Sequence, residues 1–421
     1  MGTSYSNLIL ACVMALTAST LAAAETATEK RNQWPTGKTY KLTGVTVHLS
    51  SPVLVARKPM ALGRNHNTDR DLSGSYLWYP QIAKLSDGEL VAIIRLAADN
   101  IEVDALSPIG FCWSRDGGLT WSEVKPFNKG QGYVNFLDHN GDLLHLPFIL
   151  YNGAHGLSGP LNVIPNGKRE VRFIKDGVEV TGWPNQPVLH HLTSDLDRKA
   201  AARLNQAGFY FNGQSLLCRD GKTFLATLYG TLRGDKRCRI VCADSTDGRK
   251  WKIRSTVVDS TYDLNDQGWS NSENAICRLA NGRLMCVFRV EGLTYAQCFS
   301  DDDAQTWSQP VSMSLPGYVE PSLAVMADGT VALSGGRPKL YLWLNNDGNG
   351  QDWQAIDTFT HHNQLVREEE RFDPSKLLGG TSSYTEVVAV DASNLLFIYD
   401  CYRKDNHFGI YVQRATLEKT R

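Results

Sequence analysis

The stretch SRDGGLTW, residues 114–121, contains a carboxylate in a setting that suggests chemistry. Asp116 could be a ligand in a calcium loop, a catalytic carboxylate on a turn, or a residue that stabilises a hairpin. A calcium loop needs several oxygen ligands in succession and a bidentate glutamate at its end, and this stretch supplies only Asp116. The calcium interpretation is therefore disfavoured.

Three imperfect copies of this stretch occur later in the chain. They are STDGRKW at 245–251, SDDDAQTW at 300–307 and NNDGNGQDW at 345–353. Each has an Asp two residues after Ser or Asn, and each ends in Trp. Since one active site needs one such carboxylate, the repetition favours a structural function. Asp accepts backbone N–H groups in a turn, Gly provides a positive φ, and Trp packs between neighbouring sheets.

The elements that would position these stretches are β-hairpins. Six segments consist of two apolar strands around a short turn, and most of the turns contain Asp-Gly or Asn-Gly, which favours the positive φ of hairpin turns. The segments are 80–95, 133–148, 213–229, 274–289, 321–336 and 385–400. Helical periodicity is almost absent, and 194–208 is the one expected helix. Six units of up to four strands predict an all-β fold, a six-bladed β-propeller with loops that converge at its axis.

The repeated pattern S-x-D-x-G-x-T-W resembles the Asp box of sialidases and related propellers. Only the copy at 114–121 is complete, and the other copies differ by a substitution or by one residue in length. The resemblance extends from about residue 45 to residue 418 and implies one sialidase-like propeller domain, 45–418. Non-catalytic propellers also have Asp boxes, so the motif indicates a fold and not a chemistry.

The resemblance also implies a reaction. Sialic acid has a carboxylate on its anomeric carbon, which repels a negatively charged nucleophile, and sialidases therefore use a Tyr that a neighbouring Glu activates. An Asp acts as acid and base on the leaving oxygen. Arginines bind the substrate carboxylate, because the planar guanidinium can donate two parallel hydrogen bonds.

Two segments resemble the sialidase segments that carry this chemistry. SENAICRLANGRLMCVFR resembles the segment in which a Glu precedes a hairpin and an Arg ends it, which implies Glu273 as the partner base and Arg289 as a carboxylate-binding arginine. SYTEVVAVDASNLLFIYD resembles the final hairpin with the nucleophile, which implies Tyr384 in that role.

Two further positions follow from their distance to the Asp boxes. Arg337 lies shortly before the fourth box, where sialidases have another carboxylate-binding arginine. Asp104 lies nine residues before Trp113, where the acid of the family is found, and Asp99 is close enough to be the alternative.

One arginine of the family pattern is absent. Sialidases have Arg-Ile-Pro before the first hairpin, and the matching stretch here is Trp78-Tyr79-Pro80. Arg64, Arg70 and Arg95 are nearby in the sequence, but none of them matches the motif. The incomplete set leaves open another acidic sugar or a different glycan.

The net charge and the N-terminal sequence indicate which partners and which location to expect for the protein. The net charge of -1 gives no basic field for nucleic acid or an anionic membrane. An apolar run from Leu8 to Ala24 that ends in small residues predicts a cleaved signal peptide at 1–24, although no Lys or Arg precedes it. We expect a secreted or periplasmic protein without a membrane span.

The cysteines have neither the CxxC pairs nor the Cys/His spacings of a zinc site, and we expect no metal and no cofactor. Cys277 and Cys286 flank one predicted turn and could face each other across it, but buried free thiols are the favoured interpretation.

These observations predict an enzyme, a retaining exo-glycosidase of the sialidase type that hydrolyses terminal sialic acid or a related acidic sugar from glycans. Two alternatives stay open. One is another carbohydrate-active enzyme, a glycosidase or a lyase, on the same scaffold. The other is a non-catalytic propeller that binds glycans.

Overall fold

The structure of the protein is a computed structural model. It describes residues 33–59, 77–96, 108–127, 132–189, 206–263, 271–290, 294–317, 319–337, 339–373 and 383–420. Nearly all regular elements in these ranges are β-strands, accompanied by one α-helix and one short 3-10 helix.

The first half of the described chain contains thirteen strands. Before the first predicted hairpin come β1 (Lys38–Leu42), β2 (Val45–Leu49) and β3 (Val53–Pro59). The first meander is β4 (Trp78–Lys84), β5 (Leu90–Arg95), β6 (Ile109–Ser114) and β7 (Lys125–Phe127). The following strands are β8 (Gly132–Leu137), β9 (Leu143–Pro147), β10 (Ile149–Asn152), β11 (Leu157–Ile164), β12 (Arg172–Thr181) and β13 (Pro187–Val188).

The second half has the same pattern of meanders. The next strands are β14 (Gln206–Leu217), β15 (Phe224–Leu232), β16 (Arg239–Ser245), β17 (Lys250–Val258), β18 (Asn271–Arg278), β19 (Leu284–Val290), β20 (Thr294–Ser300) and β21 (Val311–Ser312). They are followed by β22 (Val319–Val325), β23 (Val331–Gly336), β24 (Leu340–Asn345), β25 (Gln354–Asp357), the helix α1 (Thr358–Leu365) and the 3-10 helix Glu368–Glu370. The last strands are β26 (Thr385–Ala389), β27 (Asn394–Tyr402) and β28 (His407–Lys419).

All six predicted hairpins are confirmed, as the antiparallel pairs β4–β5, β8–β9, β14–β15, β18–β19, β22–β23 and β26–β27. The described strands form five sheets, not six. The meander β8–β9–β11–β12 and the meander β14–β15–β16–β17 share one ten-stranded sheet, because β12 pairs in parallel with β17 and β10 pairs with β14.

The first strands of the meanders lie side by side in a closed series. In order they are β4, β8, β14, β18, β22 and β26, and β26 contacts β4. A register shift interrupts the pairing of β4, β8, β14, β18 and β22 with their hairpin partners. Such bulges redirect side chains and are common beside functional sites.

The last sheet contains strands from both ends of the described chain. Its order is β1–β2–β28–β27–β26, and β3 also pairs with β28. This sheet begins with β1 at Lys38, a little before the expected domain start at residue 45. The sheet is therefore completed by residues that are far apart in the sequence, which protects the edge of β28.

The turn at 114–121 has the structural function that the sequence favours. Asp116 Oδ1 accepts hydrogen bonds from the N–H groups of Leu119 (3.1 Å) and Thr120 (2.9 Å), and its Oδ2 accepts one from the Thr120 hydroxyl (2.6 Å). The Trp121 indole N–H donates to the carbonyl of Gly118 at 2.9 Å. Both oxygens of this carboxylate thus accept hydrogen bonds from residues of the turn and stabilise it.

The related stretches form similar turns, each between the third and fourth strand of a meander. At the second, Asp247 Oδ1 accepts from the N–H groups of Arg249 and Lys250, both at 2.8 Å. Trp251 is 1% exposed and lies against Phe136 of the preceding meander. This Trp packs between neighbouring meanders, as predicted.

The described cysteines are buried free thiols, which confirms the favoured interpretation. The hairpin register pairs Cys277 with Met285, and Cys286 pairs with Ile276 and with Cys298 on the next strand. Cys277 and Cys286 therefore do not face each other.

The expected helix at 194–208 lies mostly outside the described residues, and its last part, 206–208, is wrong because these residues begin β14. The described α-helix, α1, was not predicted. It begins after Asp357, whose side chain accepts the N–H of Thr360. This N-cap is the local signal that a search for apolar periodicity does not detect.

Candidate functional site

Four of the five sequence-predicted site residues lie together at the closed series of first strands. Glu273 is on β18, Arg289 is near the end of β19, Arg337 directly follows β23, and Tyr384 directly precedes β26. Asp104 and its alternative Asp99 lie outside the described residues, and their placement stays a prediction.

Glu273 and Arg289 form an ion pair. Arg289 Nη1 lies 2.9 Å from each carboxylate oxygen of Glu273, and the two side chains are nearly buried. The N–H of Glu320 also donates to Glu273 Oε2, at 2.9 Å. This carboxylate therefore connects β18, β19 and β22.

Arg337 and Tyr384 form the second contact of the cluster. The Arg337 guanidinium donates a hydrogen bond to Tyr384 and lies 5.6 Å from the centre of its ring. The segment before Tyr384 is held by Asp400, whose Oδ1 accepts the N–H of Ser383 at 2.7 Å. Burial raises the pKa of Asp400 to about 7, although backbone N–H groups at Tyr79, Ser383 and Tyr384 oppose this shift.

Trp78 and Tyr79 occupy the place where the family pattern has its first arginine. The Tyr79 ring lies against Tyr384 with 3.7 Å between ring centres, and its N–H donates to Asp400 Oδ2 at 3.1 Å. Arg95, at the end of β5, pairs with Trp78 in the hairpin register, and its guanidinium carbon lies 4.9 Å from the Trp78 ring centre. A buried arginine therefore reaches this place from the neighbouring strand.

Sequence reasoning missed Glu320. The Tyr79 hydroxyl donates to its Oε2 at 2.9 Å, and Asn212 Nδ2 donates to its Oε1 at 3.1 Å. Burial, and then the nearby Glu273 carboxylate, raise the pKa of Glu320 well above its ordinary value. Tyr79 also hydrogen-bonds to Tyr133, so a polar chain runs from β8 through β4 to β22.

A positional signal for Glu320 is present in the sequence. Of the six residues that stand directly before a hairpin segment, five meet in the cluster. They are Tyr79, Asn212, Glu273, Glu320 and Tyr384. Equivalent positions of different meanders face the same axis. Glu320 stands before the segment 321–336 just as Glu273 stands before 274–289.

The backbone of this cluster is strained. Four of the nine described non-glycine residues with positive φ lie here: Tyr79 (55°), Glu320 (41°), Arg337 (53°) and Ser383 (73°). Each such residue costs about 1–3 kcal/mol, and such residues concentrate at functional sites. The concentration of strain here is an independent indication that the cluster has a function.

A narrow cavity along the axis adjoins the cluster. Its lining includes the side chains of Tyr79, Tyr133, Glu320, Tyr384, Gln214 and Glu386. Burial raises the pKa of Glu386 to about 8, although the N–H of Ile82 donates to its carboxylate. Two of the carboxyl groups at this cavity are therefore harder to ionise than carboxyl groups in water.

Among the residues that the structure describes, no group of three or more His, Cys, Asp or Glu side chains is arranged to hold a metal ion. No helix within the described ranges is both long enough and apolar enough to cross a membrane. The side chains in this cluster that can take part in chemistry are carboxylates, tyrosines and arginines.

No protein-family model and no curated protein sequence matches the chain. Among solved structures, a protein of unknown function from Dyadobacter fermentans DSM 18053 has a TM-score of 0.61 and 16% identity, covering 90% of this chain and 100% of that one. An α-L-arabinofuranosidase from Fusarium graminearum, in complex with an iminosugar inhibitor, has a TM-score of 0.54 and 12% identity, covering 86% of this chain and 97% of that one.

A sialidase from Trypanosoma rangeli, in complex with the inhibitor DANA, has a TM-score of 0.52 and 16% identity over 86% of this chain. The present chain spans 60% of the length of that sialidase. Together these likenesses show that the chain has the propeller type of fold of these glycosidases.

Proposed function

We propose that the chain is a glycoside hydrolase built on a six-bladed, sialidase-like propeller, and that it releases terminal sialic acid or a related acidic sugar from glycans. The observation that carries the proposal is the convergence of Glu273, Arg289, Arg337 and Tyr384 at one axial cluster. The predicted signal peptide and a location outside the cytoplasm belong to the same proposal.

The meanders support the proposed count of six blades. Each of the six first strands begins one meander of four strands, and the last meander takes its outer strand from the N-terminal region. The ten-stranded sheet is then two blades joined through the β12–β17 pair.

In this proposal Tyr384 attacks the anomeric carbon and gives its proton to Glu273. A guanidinium that donates to a phenol oxygen stabilises negative charge on that oxygen, and Arg337 is placed to do so. The reaction is retaining, because a covalent glycosyl-tyrosine forms and water then hydrolyses it.

Three arginines support an acidic sugar. Arg95 ends β5, Arg289 is next to last in β19, and Arg337 directly follows β23, so each lies at the end of the second strand of its meander. Side chains at equivalent positions of different meanders approach the same end of the axis. Their combined positive charge favours a carboxylate ligand.

A second candidate is a glycosidase for a neutral sugar. The rings of Trp78 and Tyr79 stand where the family pattern has an arginine, and Tyr79, Tyr133 and Tyr384 form a row with 4.5 Å and 3.7 Å between ring centres. Aromatic faces pack well against the apolar face of a sugar.

The test is a panel of 4-methylumbelliferyl glycosides that includes a sialoside, a uronide and an α-L-arabinofuranoside. We expect turnover of an acidic glycoside, and a loss of at least about 1,000-fold in kcat for Tyr384→Phe. Tyr341→Phe, which removes a hydroxyl from β24, is the matched control and keeps full activity.

Each of the other outcomes has a clear meaning. Turnover confined to neutral glycosides selects the second candidate. Binding of glycans without turnover of any glycoside selects a glycan-binding propeller and contradicts the proposal.

A further inference from the structure

Glu273 and Glu320 occupy equivalent positions, directly before the hairpin segments 274–289 and 321–336. They are in direct contact, since the N–H of Glu320 donates to Glu273 Oε2 at 2.9 Å. Their other partners differ. Glu273 is paired with the cationic Arg289, whereas both side chains that donate to Glu320, from Tyr79 and Asn212, are neutral.

We propose that Glu320 is the proton donor to the leaving group of the glycosidase reaction, on the basis of its place in the axial cavity, its neutral hydrogen-bond partners and its contact with Glu273. The inference rests on the proposed function. It adds a catalytic residue to that function and reassigns the step for which the sequence predicts Asp104.

A glycosidase needs one carboxyl group that is ionised and one that keeps its proton. Glu273 lies 2.9 Å from the cationic Arg289 guanidinium, which is the environment that the ionised partner requires. Glu320 has the opposite environment, because burial and the adjacent Glu273 raise its pKa. The two glutamates are in contact but have different surroundings, and this difference separates the role of the acid from that of the base.

The hydrogen bonds that Tyr79 and Asn212 donate oppose this shift, but burial and the Glu273 carboxylate outweigh them. The titratable side chains that face it from the surrounding strands are Glu273, Glu386, Tyr79, Tyr133, Tyr229 and Tyr295. The two glutamates favour a protonated Glu320, and burial keeps the tyrosines protonated, since it raises the pKa of Tyr79, Tyr133, Tyr229 and Tyr295.

The position of Glu320 gives its proton access to the cavity. The side chain is half-buried and lines the cavity next to Tyr384, the proposed nucleophile. The positive φ of 41° at Glu320 and the bulge between Val319 and Ser322 direct the side chain there. Strain at this residue is explained if the direction of its carboxyl group is required.

The proposed reaction has two steps. Tyr384 forms a bond to the anomeric carbon, and the phenol proton passes to Glu273. The bond from this carbon to the leaving oxygen breaks with its electron pair on that oxygen, which takes the proton of Glu320. In the second step water attacks the carbon and gives a proton to the Glu320 carboxylate, while Tyr384 leaves and recovers its proton from Glu273.

The experiment compares two substrates of the same sugar, 4-methylumbelliferyl sialoside and sialyllactose, or the corresponding pair for the sugar that the panel identifies. An aryl leaving group needs little protonation, whereas a sugar hydroxyl needs much. We expect Glu320→Gln to lose about 100- to 10,000-fold in kcat/KM on the oligosaccharide and less than about 10-fold on the aryl glycoside.

Two variants serve as comparisons. Glu418→Gln removes an exposed carboxyl group on β28, and we expect the ratio between the two substrates to be that of the wild type. Asp104→Asn tests the competing assignment. A leaving-group dependence in Asp104→Asn and none in Glu320→Gln overturns the inference.

Tyr79→Phe keeps the inference testable if Glu320→Gln does not fold. The loss of the Tyr79 hydroxyl removes a donor that favours the ionised form of Glu320, so we expect the alkaline limb of the pH profile of kcat/KM to move to higher pH. An unmoved limb contradicts the assignment. If the wild type hydrolyses no glycoside of the panel, the proposed function and this inference fail together.

Discussion

At the scale of single residues, the position directly before the hairpin contributes a side chain to the candidate site in five of the six meanders. Tyr79, Asn212, Glu273, Glu320 and Tyr384 each stand directly before a hairpin segment, and each belongs to a different meander. Their side chains meet because the first strands form a closed series. The two glutamates differ in their surroundings, since Arg289 is paired with Glu273, whereas burial and then the Glu273 carboxylate raise the pKa of Glu320.

Glu386 makes the effect of burial at the axis measurable. Its folded-state pKa is raised to about 8, so the folded protein keeps a proton that the unfolded chain releases above about pH 4.3. Stability therefore falls as pH rises between these values. We expect Glu386→Gln to flatten the dependence of the unfolding free energy between pH 5 and pH 8 by about 1–3 kcal/mol, measured by urea denaturation.

Glu418→Gln is the control for this measurement, because Glu418 is exposed on β28 and its neutralisation leaves the axis unchanged. A wild type whose stability is constant from pH 5 to pH 8, and equal in slope to Glu386→Gln, contradicts the prediction.

At the scale of elements, the turns between the third and fourth strands are stabilised by single carboxylates. Asp302 accepts the N–H groups of Gln305 (3.0 Å) and Thr306 (2.9 Å) and the hydroxyl of Thr306 (2.6 Å). The hydrogen bonds from Thr306 lower the pKa of Asp302 to about 2. Asp301, the neighbouring residue, instead makes an exposed ion pair with Arg283.

We expect Asp302→Ala to lower the free energy of unfolding by about 1–2 kcal/mol, because it leaves two N–H groups of the turn without their acceptor. Asp301→Ala is the matched control, with an expected change below about 0.5 kcal/mol, since exposed ion pairs contribute little. Equal effects of the two variants in thermal or urea denaturation would show that the turn does not depend on its carboxylate.

The sequence predicts these hairpins and turns well because their signals are local. Asp-Gly, Asn-Gly and alternating apolar residues specify a turn within a few residues. The parallel pairing of 179–181 with 250–252 has no such signal, and it merges two expected sheets into one. Helix α1 is short, and its sequence signal is an N-cap residue and not a periodic apolar face. A search for apolar periodicity therefore overlooks it.

The candidate site is predictable only in part for the same reason. Glu273, Arg289, Arg337 and Tyr384 were found through segments that resemble a known family. Glu320 lies outside the segments to which the resemblance assigns a role, and its contacts with Tyr79 and Asn212 join residues that are 241 and 108 positions away. Arg95 reaches Trp78 through the hairpin register and not through the motif.

At the scale of the whole molecule, the closed series depends on the last sheet. Strand β2 pairs with β28 over five positions, and Val47 of β2 is completely buried against apolar side chains of the last two meanders. The N-terminal strands therefore complete the fold and do not act as an independent appendage.

We expect Val47→Ala to lower the free energy of unfolding by about 1–3 kcal/mol, with one cooperative transition, because the loss of buried methyl groups weakens the sheet that closes the series. Hydrogen exchange of β2 and β28 amides should increase together. Thr46→Ala, on the opposite face of the same strand, should change neither measurement by much. Exchange that increases in β2 alone would contradict a common unfolding unit.

The position before each hairpin has a consequence for how specificity can evolve. Each of these side chains comes from a different meander, while the apolar residues that hold that meander together lie further along its strands. A substitution at one position therefore alters one wall of the cavity and leaves the pairing of every strand intact. Because these side chains contact one another, a new substrate would require coupled replacements at several of these positions.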